Sequence, residues 1–226
     1  MGWPGEASGM TDQKTFTPKD PARLSRAVVI WLAIHAGAAA LCSATTLMDI
    51  GYLSTLDPTN GPIDADSIDI NGLASLLLVA VTLVVWFLTL KWIYRASRNA
   101  HALATGLRMS PAWTIGSYFV PIAAFWKPFQ GLADAWRVSA DPHAWRSVPT
   151  PGILRIWWAL WLIGNFIASG SARAALQAHT PGELLTSDWI SIVHYVADVA
   201  LDIVFIILVR RLNAMQVHQL EGLTFT

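Results

Sequence analysis

Cysteine is nearly missing from this chain: Cys42 is the only one, so no intrachain disulfide can form. Leu41 stands before it where a lipoprotein anchor needs a small residue, and Cys42 reads as a small apolar packing residue. Charge is scarce too, at 13% of residues against about 25% in an ordinary soluble domain. With a formal net charge of zero, no basic patch of the kind that grips DNA or RNA can be drawn, and no nucleic-acid partner is expected. GxSxG, Walker and GxGxxG motifs are all absent, and His101, His143, His179 and His218 are scattered. The common soluble-enzyme chemistries are thereby removed. Neither an HExxH motif nor a Cys/His cluster is present to supply a full metal shell, so no cofactor is expected.

What the chain has in quantity is apolar length. Four runs, near 27–48, 72–90, 153–169 and 190–209, each approach or reach the roughly 20 residues a helix needs to cross a bilayer. The basic residues are sorted around them. Lys14, Lys19, Arg23 and Arg26 precede the first run, and Arg210 and Arg211 follow the fourth. Lys91, Arg95, Arg98, Arg108, Lys127, Arg137, Arg146 and Arg155 lie between the second and third. Of the 15 Lys and Arg, Arg173 alone falls in a stretch read as external. Loop 51–71 carries Asp57, Asp64, Asp66 and Asp69 without a basic residue, and Pro58, Gly61 and Pro62 make it turn-rich. The positive-inside rule then predicts four crossings with both termini cytoplasmic. The predicted fold class is all-α, an integral membrane helical bundle spanning residues 20–226 with the bilayer as its first partner.

The flanks of these runs are also readable. Residues 1–19 are polar and cannot bury a core, so they read as a disordered tail, with Met10 an equally good start. Asp20-Pro21 suits a helix entry. The first run exceeds the 7–15-residue core of a signal peptide, although Ala36-Gly37-Ala38 keeps cleavage open as an alternative. Ala36, Ala40 and Ala44 form a small-xxx-small face suited to close helix approach. Segment 110–145 is the ambiguous one. Its apolar part, 113–126, is short and interrupted by Pro121, and a fifth crossing would put the following basic residues outside. Trp31, Trp86, Trp92, Trp113, Trp126, Trp136, Trp145, Trp157, Trp158 and Trp161 all fall near the inner interface, a depth indole favours. The expectation is an interfacial amphipathic segment on the cytoplasmic face, with a re-entrant hairpin as the alternative.

The series Trp92-Ile93-Tyr94-Arg95-Ala96-Ser97-Arg98-Asn99, Ser110-Pro111-Ala112-Trp113-Thr114-Ile115-Gly116, Phe119-Val120-Pro121, Phe125-Trp126-Lys127-Pro128-Phe129-Gln130 and Asp134-Ala135-Trp136-Arg137 carries a resemblance. It resembles a bacterial family of multi-pass membrane proteins catalogued as the domain of unknown function numbered 4328. The likeness runs from the second crossing onward and is densest over 92–137. It implies a bacterial inner-membrane protein and no particular chemistry. The residues themselves suggest an inner collar of Trp92, Arg95, Arg98, Trp113, Trp126, Lys127 and Trp136. Either they fix helix depth and angle, or they form a groove for a lipid head or small molecule.

Ionisable groups inside the runs are the other candidates. His194, Asp198 and Asp202 recur every fourth residue and so share one helix face. A carboxylate at mid-bilayer costs at least about 2.5 kcal/mol on insertion scales, so such groups face the bundle interior and find partners. Counting 1.5 Å per residue from the inner charges sets His35 and Asp202 at matching depth, and likewise Asn165 and Asp198. Two interhelical contacts, His35–Asp202 and Asn165–Asp198, are predicted. Polar glue between helices, a proton or cation path, and a metal or haem site compete to explain this set. The leading expectation is a non-enzymatic membrane scaffold or interaction protein, working with another membrane protein or a second copy of itself. The alternative is a small proton or cation conductor or transporter, and the third is an embedded enzyme or cofactor binder.

Overall fold

A computed structural model of the chain describes residues 16–58 and 70–224. The acidic positions 64, 66 and 69 and most of the proposed N-terminal tail lie outside the described residues. Six helices follow one another, with no strand among the described residues: α1 (Ala22–Leu53), α2 (Ile70–Leu103), α3 (Pro111–Gly116), α4 (Lys127–Ala140), α5 (Gly152–Gln177) and α6 (Pro181–Thr224). Of these, α1, α2, α5 and α6 are long and apolar enough to cross a membrane. Their outward faces carry large apolar side chains such as Met48, Leu83, Phe87, Phe166 and Val196, as a lipid solvent requires.

Helix ends follow local chemistry. The Asp20 carboxylate accepts from the Ala22 amide at 2.8 Å where α1 begins. Ser110 caps α3 by accepting from the Trp113 amide, with Pro111 in the first turn. At α6 the Glu183 carboxylate accepts from the His179 and Thr180 amides, while the Glu183 amide donates to Thr180 Oγ1. That reciprocal arrangement is a capping box, and it starts α6 nine residues before its apolar run.

The four long helices form an open arc. α1 packs between α2 and α6, and α5 packs on the far side of α6, while α2 and α5 share no packed interface. Val28, Leu32, His35, Ala39, Cys42 and Thr46 make the buried face of α1, at alternating spacings of four and three. The small residues Ala40 and Ala44 therefore point outward, and the close approach to α6 uses Ala38, Ala39 and Cys42 instead.

At one end of the arc, α3 and α4 pack on the extensions of α2 and α6. Within the segment read as interfacial, α4 is the inner layer, while the stretch before it exposes Trp113, Phe119, Ile122 and Trp126. Pro128, Gly131, Leu132, Ala133, Asp134, Ala135, Trp136, Val138 and Ser139 are all buried, so α4 is enclosed by protein on nearly every side. A β-carbon added at Gly131 would meet Thr114 Cγ2 at 2.5 Å, which shows how tightly α4 sits against α3. Between them, two short 3-10 turns (Ser117–Phe119 and Ala123–Phe125) form a wedge with Pro121 between the turns. The wedge leans on α5: Phe125 stacks on Phe166, and Phe125 O accepts from Trp158 Nε1 at 3.2 Å.

Candidate functional site

Half of the ten tryptophans grouped near the inner ends of the long helices are packed inside the protein. Trp92, Trp136, Trp145, Trp157 and Trp158 are buried, and Trp92 spends its N–H on Ser25 Oγ at 3.0 Å. Trp113 and Trp126 alone of the collar tryptophans are exposed, and Lys127 opens α4 beside the latter. Arg95 and Arg98 each commit one donor to the chain ahead of α1. Their guanidinium groups donate to the carbonyls of Asp20 and Thr17. Asn99 completes that attachment, exchanging hydrogen bonds of 2.9 Å with both backbone groups of Lys19. Residues 17–20 are thus tied along α2, where a disordered tail was expected.

Two polar features of this end escaped the sequence reading. Gln216 is buried, donates to Ala96 O and Ser139 Oγ, and accepts from Asn99 Nδ2. The buried Asp134 carboxylate receives Nε and Nη2 of Arg108, with Arg137 Nη1 at 3.7 Å. The hydrogen bond to Asp134 raises the pKa of Arg108 above its ordinary value. Nothing in the sequence pairs Arg108 with Asp134, because 26 residues and a wedge separate them.

The other polar group lies in the middle of the arc. His35 of α1 approaches Asp202 of α6, Nδ1 to Oδ2, at 2.7 Å, and its Nε2 lies 3.0 Å from Thr82 Oγ1 of α2. The Thr82 hydroxyl donates its one proton to Leu78 O at 2.7 Å. Nε2 must therefore be the donor to Thr82, and a single proton is shared between Nδ1 and the carboxylate. Whether written as imidazolium–carboxylate or imidazole–acid, the pair is neutral as a unit.

Asp198 is placed differently. Its nearest basic atom is Nε2 of His194, at 3.6 Å, beyond hydrogen-bond range. Asn165 does not reach it as expected, because its amide donates to Trp161 O within α5 at 2.7 Å. A local acceptor one turn back is always within reach of an Asn in a helix, and depth matching cannot see it. Asp198 and Asn165 nevertheless line the same cavity of about 410 Å³. α2 and α5 form its walls, His35, His194, Asp198 and Asp202 make a polar floor, and Tyr118 of the wedge stands at one end. Tyr118 is held edge-on between Trp86 and Trp161. Val79 and Leu83, on the α2 wall, are more than half exposed, so the cavity is a cleft opening sideways between α2 and α5.

Polarity stops abruptly below Asp202. The next turns of α6 bury Phe205, Leu208, Val209 and Leu212 against Leu32, Trp92 and Trp157. This apolar plug runs from Phe205 to Leu212, about 10 Å at 1.5 Å per residue. Two buried polar atoms beside the cleft, Tyr118 Oη and His194 Nδ1, have no hydrogen-bond partner among the described residues. Burial pushes the Tyr118 phenol well above its ordinary range, which keeps it a neutral donor. No group of three or more His, Cys, Asp and Glu converges with metal-binding geometry among the described residues.

A family pattern described as "Domain of unknown function (DUF4328)" matches residues 63–214, from the approach to α2 through most of α6. The chain belongs to the DUF4328 family. The match includes Tyr118, Asn165, His194, Asp198 and Asp202, whereas His35 on α1 precedes it. No curated protein and no solved structure matches the chain.

Proposed function

We propose that this DUF4328 protein is a non-enzymatic protein of the bacterial inner membrane that holds a small membrane-resident ligand in the cleft between α2 and α5. The observation that carries this reading is the cleft itself: a concave, mostly apolar space with a few convergent polar groups, open on the side that faces lipid. Packing for its own sake would leave Asp198 pressed against a partner rather than lining a space. In this reading the buried collar of α3, α4 and the end of α6 is the scaffold that holds the arc open. Both termini are cytoplasmic, a placement supported by the basic residues gathered at that end.

A second reading, conduction of protons or cations, draws on the polar ladder of Ser187, Ser191, His194, Asp198 and Asp202 along one face of α6. The apolar plug beyond Asp202 weighs against it, since a conducting chain of hydrogen bonds would have to cross that interval. Cysteine labelling separates cleft from packed core. Cys42 is fully buried and gives a silent background, so Ala168→Cys and Thr82→Cys report on the cleft alone. In liposomes, both should react with a lipid-soluble maleimide at rates well above Cys42. Failure of both to react would mean the space is closed and that the polar groups serve packing. Steady proton flux in the same liposomes, lost in Asp198→Asn, would favour the conduction reading instead.

A further inference from the structure

The cleft holds hydrogen-bonding capacity that its own residues leave unused. His35 and Asp202 satisfy one another and are neutral as a unit, which leaves Asp198 as the cleft carboxylate with no hydrogen bond to a basic group, His194 Nε2 standing 3.6 Å away. The Asn165 side-chain carbonyl is also available, while one of the two N–H donors of that amide goes to Trp161 O. Free acceptors on Asp198 and Asn165 thus line the floor and wall of the space, alongside the unpartnered Tyr118 Oη and His194 Nδ1. Trp86, Trp161, Tyr118 and Phe205 surround it with aromatic faces, which attract a cation held among them. The remaining lining is aliphatic, and the mouth between α2 and α5 opens toward the region the exposed Leu83 and Phe166 assign to lipid tails.

An occupant that suits the carboxylate, the aromatic rings and the lipid-facing mouth has N–H donors, one positive charge and an apolar tail. We infer that the cleft binds a primary amine with a hydrocarbon tail, its ammonium on Asp198 and its tail leaving sideways between α2 and α5. This assignment rests on the cleft being a ligand site, and it adds the chemical class of the ligand. A primary ammonium can donate to both Asp198 and Asn165, which a quaternary head cannot do. A fatty acid would place a second carboxylate beside Asp198, and a plain alcohol would bring one donor and no charge.

Dodecylamine tests this against dodecanol and dodecanoate, which share its tail, in thermal unfolding of the purified full chain in neutral maltoside micelles. Dodecylamine should raise the melting temperature and its two analogues should not, since a ligand stabilises in proportion to its binding of the folded state. Asp198→Asn should weaken the amine by about tenfold or more, while Asp141→Asn, in the collar, leaves it unchanged. Gly164→Leu provides an independent variant, because Gly164 lines the cleft and a β-carbon there meets nothing within 4 Å. It should fold normally and lose the amine effect with Asp198 intact. Stabilisation by dodecanol equal to that by dodecylamine, and abolished by Gly164→Leu, would overturn the amine assignment and keep the cleft as a ligand site. Amine stabilisation that survives both Asp198→Asn and Gly164→Leu would overturn the assignment and the site together.

Discussion

Gln216 and Asp198 lie on the same helix, yet their surroundings follow opposite rules. Around Gln216 the amide donors of Gln216 and Asn99 are all engaged, and each side-chain carbonyl accepts at least one bond. Around Asp198 the nearest base stands at 3.6 Å, His194 Nδ1 has no partner, and a cavity adjoins the carboxylate. The saturated network ties α2, α4, α6 and the segment at Lys19 into one body, which is what a structural cluster should do. The unsaturated one spends stability on polar groups that hold little together. Buried polarity that does not serve packing is a reason to look for a ligand.

The contrast can be broken at several points. The largest effect is expected in the collar, from Arg108→Met. It leaves the Asp134 carboxylate, whose side chain is 2% exposed, with only the residue-108 amide and Arg137 Nη1 at 3.7 Å, and should cost up to about 3–5 kcal/mol of unfolding free energy in denaturant titrations. Asp134→Asn should cost visibly less, because the Arg108 side chain is 43% exposed and keeps its water. Equal losses from the two would mean that the charge pair is not asymmetric as its burial implies. Gln216→Leu comes next, at about 1–3 kcal/mol, since it leaves an Asn99 donor unpaired and removes the Gln216 bonds to Ala96 O and Ser139 Oγ. Hydrogen exchange at Lys19 should rise in the same variant, as Asn99 loses one of its supports.

Smaller effects belong to the cleft. His35→Leu removes two interhelical bonds, to Asp202 and Thr82, each worth about 0.6–2 kcal/mol. Replacing both partners, His35→Leu with Asp202→Leu, should recover most of that loss, because removing both buried partners spares an unpaired group. The smallest change is expected for Asp198→Asn, near zero or slightly stabilising, as it discharges a group with no hydrogen bond to a basic group. A loss above about 2 kcal/mol there, in the same titrations, would make Asp198 a packing residue and remove the contrast.

Hydropathy and charge were enough to read the four long helices, because a bilayer imposes length and sidedness on any sequence that crosses it. His35 opposite Asp202 was legible too, since two depths counted from the charged ends agree. What could not be read is whatever depends on which side of a helix faces inward. Ala40 and Ala44 look like a contact face by composition, and Ala38, Ala39 and Cys42 supply it. Trp92, Trp136 and Trp157 share their composition with interfacial anchors, yet they form a protein core. The wedge at Pro121 was ambiguous because its short turns have no periodicity of their own and take their direction from α5. Arg108–Asp134 and Gln216–Asn99 left no signal, being pairs of polar residues in stretches where polarity needs no explanation.

One rod runs through all of this. From Glu183 to Glu221 α6 has neither proline nor glycine, so it offers none of the usual points at which a helix bends. A lever without a joint moves at both ends. Whatever leans on α6 at Asp198 also displaces Gln216, and with it the hold on Asn99 and Lys19, so occupancy inside the membrane would be legible as movement at the collar.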